Sequence, residues 1–249
     1  MHLHTIGSDG RPDVLFTHGW GRSHHDFIPV AESLAAIARS TLVDLPGFGE
    51  TPRPEGPWTT ADYAGHVHSA MLAAGRVPYL WVGHSFGGRL GLRAAVAFPG
   101  ALTGMVLVAA AGIPRARTPW QRLRGRWRSA AFGFHKGRAG SEAEIIELER
   151  RFGSADYVAS RASGLRDIFL ATVAEDQSRN LPRIATPTRL IYGAQDTETP
   201  PEIGRRMAAA IPGAECVVLD GLDHIGVLAR GRHQIARAVR DLLREGGPA

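Results

Sequence analysis

The stretch LWVGHSFGGRLG, residues 80–91, sets a single serine among glycines directly after an apolar run. A serine hydroxyl is a weak nucleophile until a base takes its proton, and it must stand clear of the chain to reach a carbonyl. The G-x-S-x-G spacing of Gly83, Ser85 and Gly87 meets the second need when a strand precedes it and a helix follows. Side chains two residues to either side would collide with so tight a turn, and glycine has none. The competing reading is a plain strand-to-helix turn. The strand–turn–helix context favours Ser85 as a nucleophile, with the N–H of Phe86 pointing toward the same space.

The serine then needs a base, and the base an orienting acid. Of the eleven histidines, His224 is best placed, in LDGLDHIGV just past the last expected strand; a polar helix cap is its alternative reading. His18 and His84 belong to the glycine turns and position backbone. His24, His25, His66 and His68 fall at or on early helices and read as surface or core residues. His135 and His233 have nothing nearby to recommend them. His2 and His4 share a strand face, but two ligands without a third make a poor metal site. For the acid, Asp196 ends TRLIYGAQD, at the edge of a sheet where site residues gather. Glu198 is its main rival. Asp220 and Asp223 lie too close in sequence to His224, and VAAAGIP carries no carboxylate. In THGWG (17–21) the N–H of Trp20 pairs with that of Phe86 as an oxyanion hole, whose two donors would contribute several kcal/mol to a transition state; a loop with no catalytic role is the alternative.

These residues must be held by a sheet. Apolar runs at 13–19, 41–47, 79–85, 104–110, 188–196 and 215–221 are too short for helices and largely lack polar alternation, as expected of strands covered on both faces. Helical stretches lie between them, at 26–38, 60–74, 86–98, 201–211 and 231–244. This alternation predicts a mainly parallel α/β sheet flanked by helices. It breaks from Ile113 to Leu181, which reads as a helical insertion, so the core is expected at 1–112 and 182–249. Within the insertion, Trp120, Leu123, Trp127, Ala131 and Phe134 recur at spacings of three or four with arginines between, an amphipathic helix pattern that Gly125 and Gly133 would weaken.

Charge is concentrated in the same insertion. Between Pro114 and Gly140 lie eight basic residues (Arg115, Arg117, Arg122, Arg124, Arg126, Arg128, Lys136, Arg138) and no acid; removing them from 29 leaves 21 basic against 24 acidic residues. The rest of the chain is therefore net acidic, which argues against whole-protein nucleic-acid binding. The bland reading is a helix whose apolar stripe closes a pocket while its arginines face water. The sharper ones are an acidic acyl carrier or coenzyme-A thioester, or an anionic membrane surface. Cys216 is the one cysteine, so no internal disulfide forms, and a cytoplasmic protein is expected. The N-terminal stretch does not read as a signal peptide, and no apolar run approaches the roughly 18 residues of a membrane span. The sequence has no phosphate loop, no H-E-x-x-H and no cysteine cluster, so neither cofactor nor metal is expected.

The order Ser85, Asp196, His224, with HGWG upstream and DLPGFGET between, resembles the α/β-hydrolase superfamily over residues 13–112 and 182–244. The resemblance implies a serine hydrolase of the carboxylesterase kind. It would cleave a carboxylic ester or thioester of a small to medium acyl group, with insertion 113–181 as a helical cap. Two departures stand out: room for only about one strand before DVLFTHG, and Glu50-Thr51 where many relatives have serine after the glycines. A serine at the elbow argues against the aspartate-dependent epoxide hydrolases and dehalogenases. Relatives that hydrolyse carbon–carbon bonds of ring-fission products often carry Asn where this chain has His84; that activity, and a non-catalytic ligand receptor, are the alternatives.

Overall fold

The computed structural model describes residues 1–116 and 118–246, so Arg117 of the basic segment lies outside the described residues. Seven strands form one sheet: β1 (His2–Ile6), β2 (Asp13–Thr17), β3 (Arg39–Asp44), β4 (Tyr79–His84), β5 (Leu102–Val108), β6 (Thr188–Gly193) and β7 (Glu215–Leu219). Their order is β1-β3-β2-β4-β5-β6-β7. β1 runs antiparallel to β3 and the other pairs are parallel. The chain moves outward from β2 to β3 and then crosses back to β4 on the other side. The carboxyl ends of β2 and β4 therefore flank a topological switch point, where open α/β sheets bind ligands.

Helices α1 (Ile28–Glu32), α2 (Thr60–Ala73) and α3 (Phe86–Ala97) connect the first strands. α4 (Pro119–Arg138), α5 (Glu142–Phe152), α6 (Ala155–Ala162) and α7 (Arg166–Ala174) follow β5, and α8 (Pro201–Ala210), α9 (Gly226–Ala229) and α10 (Arg232–Glu245) complete the chain. β4 is buried at all six positions, which is why its sequence lacks alternation. On α10, Ile235, Val239 and Leu242 share one helical face and join Val14, Phe16, Leu80, Val82, Val106 and Val108 in the core. Each such side chain contributes about 1.5–3 kcal/mol on burial.

The helix expected over 26–38 is broken. A 3-10 turn at His24–Phe27 leads into the five residues of α1, and single turns follow. Ser33 donates its hydroxyl to the Val30 carbonyl at 2.7 Å, a local bond that competes with helix continuation.

The chain divides into two compact units, residues 1–115 with 174–249, and residues 116–173. In the second, Thr118 and Gln121 form a capping box and Pro119 occupies the first turn of α4, enough to carry the helix through Gly125 and Gly133. No residue of α4 is buried; Trp120 and Trp127 are both 70% exposed. The polar centre of this unit is Glu149, 1% exposed, which accepts from Arg161 and Arg166 at 2.9 Å. The Arg161 hydrogen bonds hold its carboxyl at about 2. Among the described residues, no helix is long and apolar enough to cross a membrane.

Candidate active site

Ser85 sits between β4 and α3 with φ 48° and ψ −104°, a left-handed conformation that costs a non-glycine residue about 1–3 kcal/mol. The neighbours over-determine it. A Cβ on Gly83 would lie 2.5 Å from the Gly87 carbonyl, and one on Gly87 would lie 2.2 Å from the Thr17 oxygen. Both obstacles are backbone, so only glycine fits. The serine N–H donates to Val108 at 2.9 Å, and its carbonyl accepts from Arg89 and Ala111. The strained residue is thus fixed from β5 on one side and by the first turn of its own helix on the other.

Asp196 and His224 meet across the loops that follow β6 and β7. His224 Nδ1 lies 2.7 Å from Asp196 Oδ2, and both residues are buried. Asp196 Oδ1 accepts the backbone N–H groups of Glu198 and Thr199, each at 2.8 Å. Burial alone would raise the Asp196 carboxyl; the hydrogen bonds from His224 and Thr199 outweigh it and leave the group below its ordinary range. Glu198 approaches the other ring nitrogen, His224 Nε2, at 3.6 Å, with its side chain 63% exposed. The two acids therefore occupy different edges of the imidazole. Of the two, Asp196 is the one that holds Nδ1, and it leaves Nε2 out of its own hydrogen bonds.

Sequence reasoning passed over Thr199. Its hydroxyl lies 2.9 Å from Asp196 Oδ2, 2.9 Å from the Ala109 carbonyl and 3.1 Å from His224 Nδ1. It locks the acid to the end of β5. The available signal was a threonine three residues after an aspartate in the loop that follows β6, a spacing at which side chain and backbone bond locally.

Two further histidines position backbone, as their places in the glycine turns suggest. His84 Nε2 donates to the His224 carbonyl at 3.1 Å, and the two rings lie 4.7 Å apart between centroids. Burial depresses His84 to about 3, so the ring is neutral. This contact ties His224 to the residue preceding Ser85. His18 donates from Nδ1 to the Gly19 carbonyl at 2.7 Å and accepts the Leu45 N–H on Nε2 at 3.0 Å; burial lowers its basicity too.

Trp20 follows β2 and Phe86 opens α3, where N–H groups have no partner within the helix. The Gly87 N–H donates to the His18 carbonyl at 3.1 Å, stitching these two segments together. The Trp20 ring packs edge-on against Phe86 at 5.3 Å and Phe48 at 5.0 Å, and Tyr63 packs against Phe86 at 5.2 Å. An aromatic wall beside the strained serine is suited to an acyl group.

Residues 12–230 match the family model described as the alpha/beta hydrolase fold. The chain is 28% identical to a pimeloyl-[acyl-carrier protein] methyl ester esterase of Xanthomonas axonopodis pv. citri, over 96% of this chain and 97% of that protein. Among solved structures it resembles a thermophilic esterase from Thermogutta terrifontis (TM-score 0.73, 22% identity, 99% of this chain and 94% of the other). It also resembles an esterase from Exiguobacterium antarcticum (TM-score 0.75, 18% identity, 98% and 95%). With seven strands in this order and a family match over most of its length, the chain belongs to the α/β-hydrolase fold family.

Proposed function

We propose that this chain is a serine hydrolase that cleaves a carboxylic ester of a small to medium acyl group. The observation that carries the reading is the buried Thr199–Asp196–His224 relay, anchored by His84, the residue before a conformationally strained Ser85. In the proposed reaction Ser85 Oγ attacks the ester carbonyl carbon while His224 Nε2 takes the hydroxyl proton. The N–H groups of Trp20 and Phe86 receive the oxyanion, and Asp196 balances the imidazolium. When the tetrahedral intermediate collapses, the ester C–O bond breaks and the alcohol leaves with the proton from His224. A water then gives a proton to Nε2 and attacks the acyl carbon; the Ser85 Oγ–acyl bond breaks, and the proton returns to the serine as the acid is released.

The relative from Xanthomonas acts, by its name, on an ester whose acyl group rides on an acyl carrier protein. We extend that substrate class to this chain and assign recognition of an acidic carrier to the insertion 113–181, the cap of our reading. Support comes from Arg122, Arg124, Arg126 and Arg128 on α4, a helix with no buried residue. Such a carrier places the reaction in the cytoplasm, in keeping with a single cysteine. The reading is tested by hydrolysis of a graded series of acyl methyl and aryl esters. Wild type should turn over the short and medium chains and Ser85→Ala none above background. Equal rates from the two proteins would overturn it.

A further inference from the structure

The N-terminal strand brings a second group of titratable side chains together, away from the proposed relay. The antiparallel register sets His2 directly opposite Asp44. His24, just after the loop that carries Trp20, folds back so that its Nδ1 lies 3.0 Å from both carboxylate oxygens of Asp44. The ligating atoms of His2, His24 and Asp44 all fall within 4.8 Å of one another. Asp44 is fully buried and His24 is 5% exposed. The chain also closes tightly over the carboxylate: a Cβ on Gly49 would come within 2.3 Å of it.

We propose that His2, His24 and Asp44 form a binding site for a divalent first-row transition-metal cation, with zinc the best fit. Two imidazoles and a carboxylate are the borderline donors such ions take, and buried carboxylates are commonly paired or metal-bound. In a tetrahedral site with bonds of about 2.0–2.1 Å, neighbouring ligand atoms lie about 3.3–3.5 Å apart. The His24–Asp44 pair is already near that spacing. The ion takes the place of the proton between them, and His24 binds through Nδ1 as the neutral tautomer whose one ring proton is on Nε2. His2, half-buried on the edge strand, closes the third position by a side-chain rotation. Glu50, whose Oε2 lies 3.3 Å from His2 Nδ1, is in reach as a fourth oxygen ligand. His4 stacks on the His24 ring with centroids 5.3 Å apart, which limits the orientations available to it.

The position gives the ion a structural part to play. Asp44 also accepts the backbone N–H groups of His24 and Glu50. Leu45, next in the chain, donates to His18 at the head of the Trp20 loop. A cation here clamps the His24 end of that loop against β3, while the Leu45 N–H holds the His18 end. It touches none of the residues assigned to the ester reaction, so the inference stands apart from the proposed activity.

Untagged protein, freed of metal with a chelator, is titrated calorimetrically with zinc chloride near neutral pH. Wild type should bind one ion per chain and gain thermal stability. His24→Gln and His2→Ala should each weaken binding by about 10-fold or more, while His233→Gln, at an exposed histidine of α10, should leave it unchanged. Should His24→Gln fail to fold, His2→Ala on the edge strand decides. No binding by wild type overturns the proposal. So does binding that survives His2→Ala undiminished, since it would place the ion elsewhere, such as at the His224–Glu198 pair.

Discussion

Replacing Asp196 with asparagine tests the relay through charge and hydrogen-bond polarity, because the two side chains have nearly the same shape. In the structure Asp196 Oδ1 accepts two backbone N–H groups, from Glu198 and Thr199, at 2.8 Å. An asparagine must keep its carbonyl oxygen there, since turning its NH₂ toward two N–H donors would leave three buried donors facing one another. The NH₂ then occupies the Oδ2 position, 2.7 Å from His224 Nδ1, where it can only donate. His224 must accept on Nδ1, which puts its proton on Nε2, the nitrogen that has to take the proton of Ser85. The imidazole is held in place but in the wrong tautomer. Loss of the base and of the countercharge should lower kcat by about 10²–10⁴, equivalent to about 3–5 kcal/mol of transition-state stabilisation. The assay is steady-state hydrolysis of a short aryl ester, with the thermal midpoint of each variant measured beside it. Glu198→Gln serves as the comparison, because Glu198 meets Nε2 from solvent and should change kcat only a few-fold. Asp196→Asn within threefold of wild type, or a larger loss in Glu198→Gln, would refute the assignment.

Gly87→Ala should destabilise the fold by about 1–3 kcal/mol or more and abolish hydrolysis, since its Cβ would strike the Thr17 backbone. Gly65→Ala in α2, with nothing within 4 Å of the added carbon, should instead gain up to about 1 kcal/mol; urea denaturation reads both. His84 has a folded pKa of about 3 against an ordinary value of 6.5, so the folded state binds fewer protons than the unfolded one between those values. Its contribution is absent above about pH 6.5, and stability falls as pH is lowered through the window, by at most about 5 kcal/mol near pH 3. His84→Gln should flatten that part of the urea-midpoint profile, and an unchanged slope would contradict the burial argument. If α4 steers an acidic carrier, kcat/KM on a carrier-linked ester should fall as salt shrinks the Debye length from roughly 20 Å to 4 Å. Glutamine at Arg122, Arg124, Arg126 and Arg128 together should remove that dependence and spare a small neutral ester; a flat wild-type profile would exclude steering.

The sheet was legible in the sequence because β4 and its neighbours are covered on both faces, and uninterrupted apolar runs announce that directly. The glycines around Ser85 were legible for a related reason: close backbone approaches at Gly83 and Gly87 leave a fixed local spacing. What was hidden depends on contacts distant in sequence. Thr199 reaches Ala109, ninety positions back, and no local pattern reports that. His24 read as a surface or core residue at or on an early helix; its ring in fact turns onto Asp44, and Ser33 helps end the helix expected over 26–38 early. His2 and His4 stood as a pair without a third ligand until the antiparallel register set Asp44 opposite His2. The apolar stripe of α4 has helical periodicity, yet Trp120 and Trp127 remain exposed, because periodicity states which residues share a face and not what covers it.

The proposed reaction stands or falls on Ser85 being an activated nucleophile. A fluorophosphonate probe reacts with such a serine and spares ordinary hydroxyls, so intact-mass measurement followed by peptide mapping gives a direct reading. Wild type should carry one adduct per chain on the peptide containing Ser85, Ser85→Ala should carry none, and labelling of His224→Ala should be greatly slowed. An adduct elsewhere, labelling that persists in Ser85→Ala, or a folded wild type that stays unlabelled would contradict it.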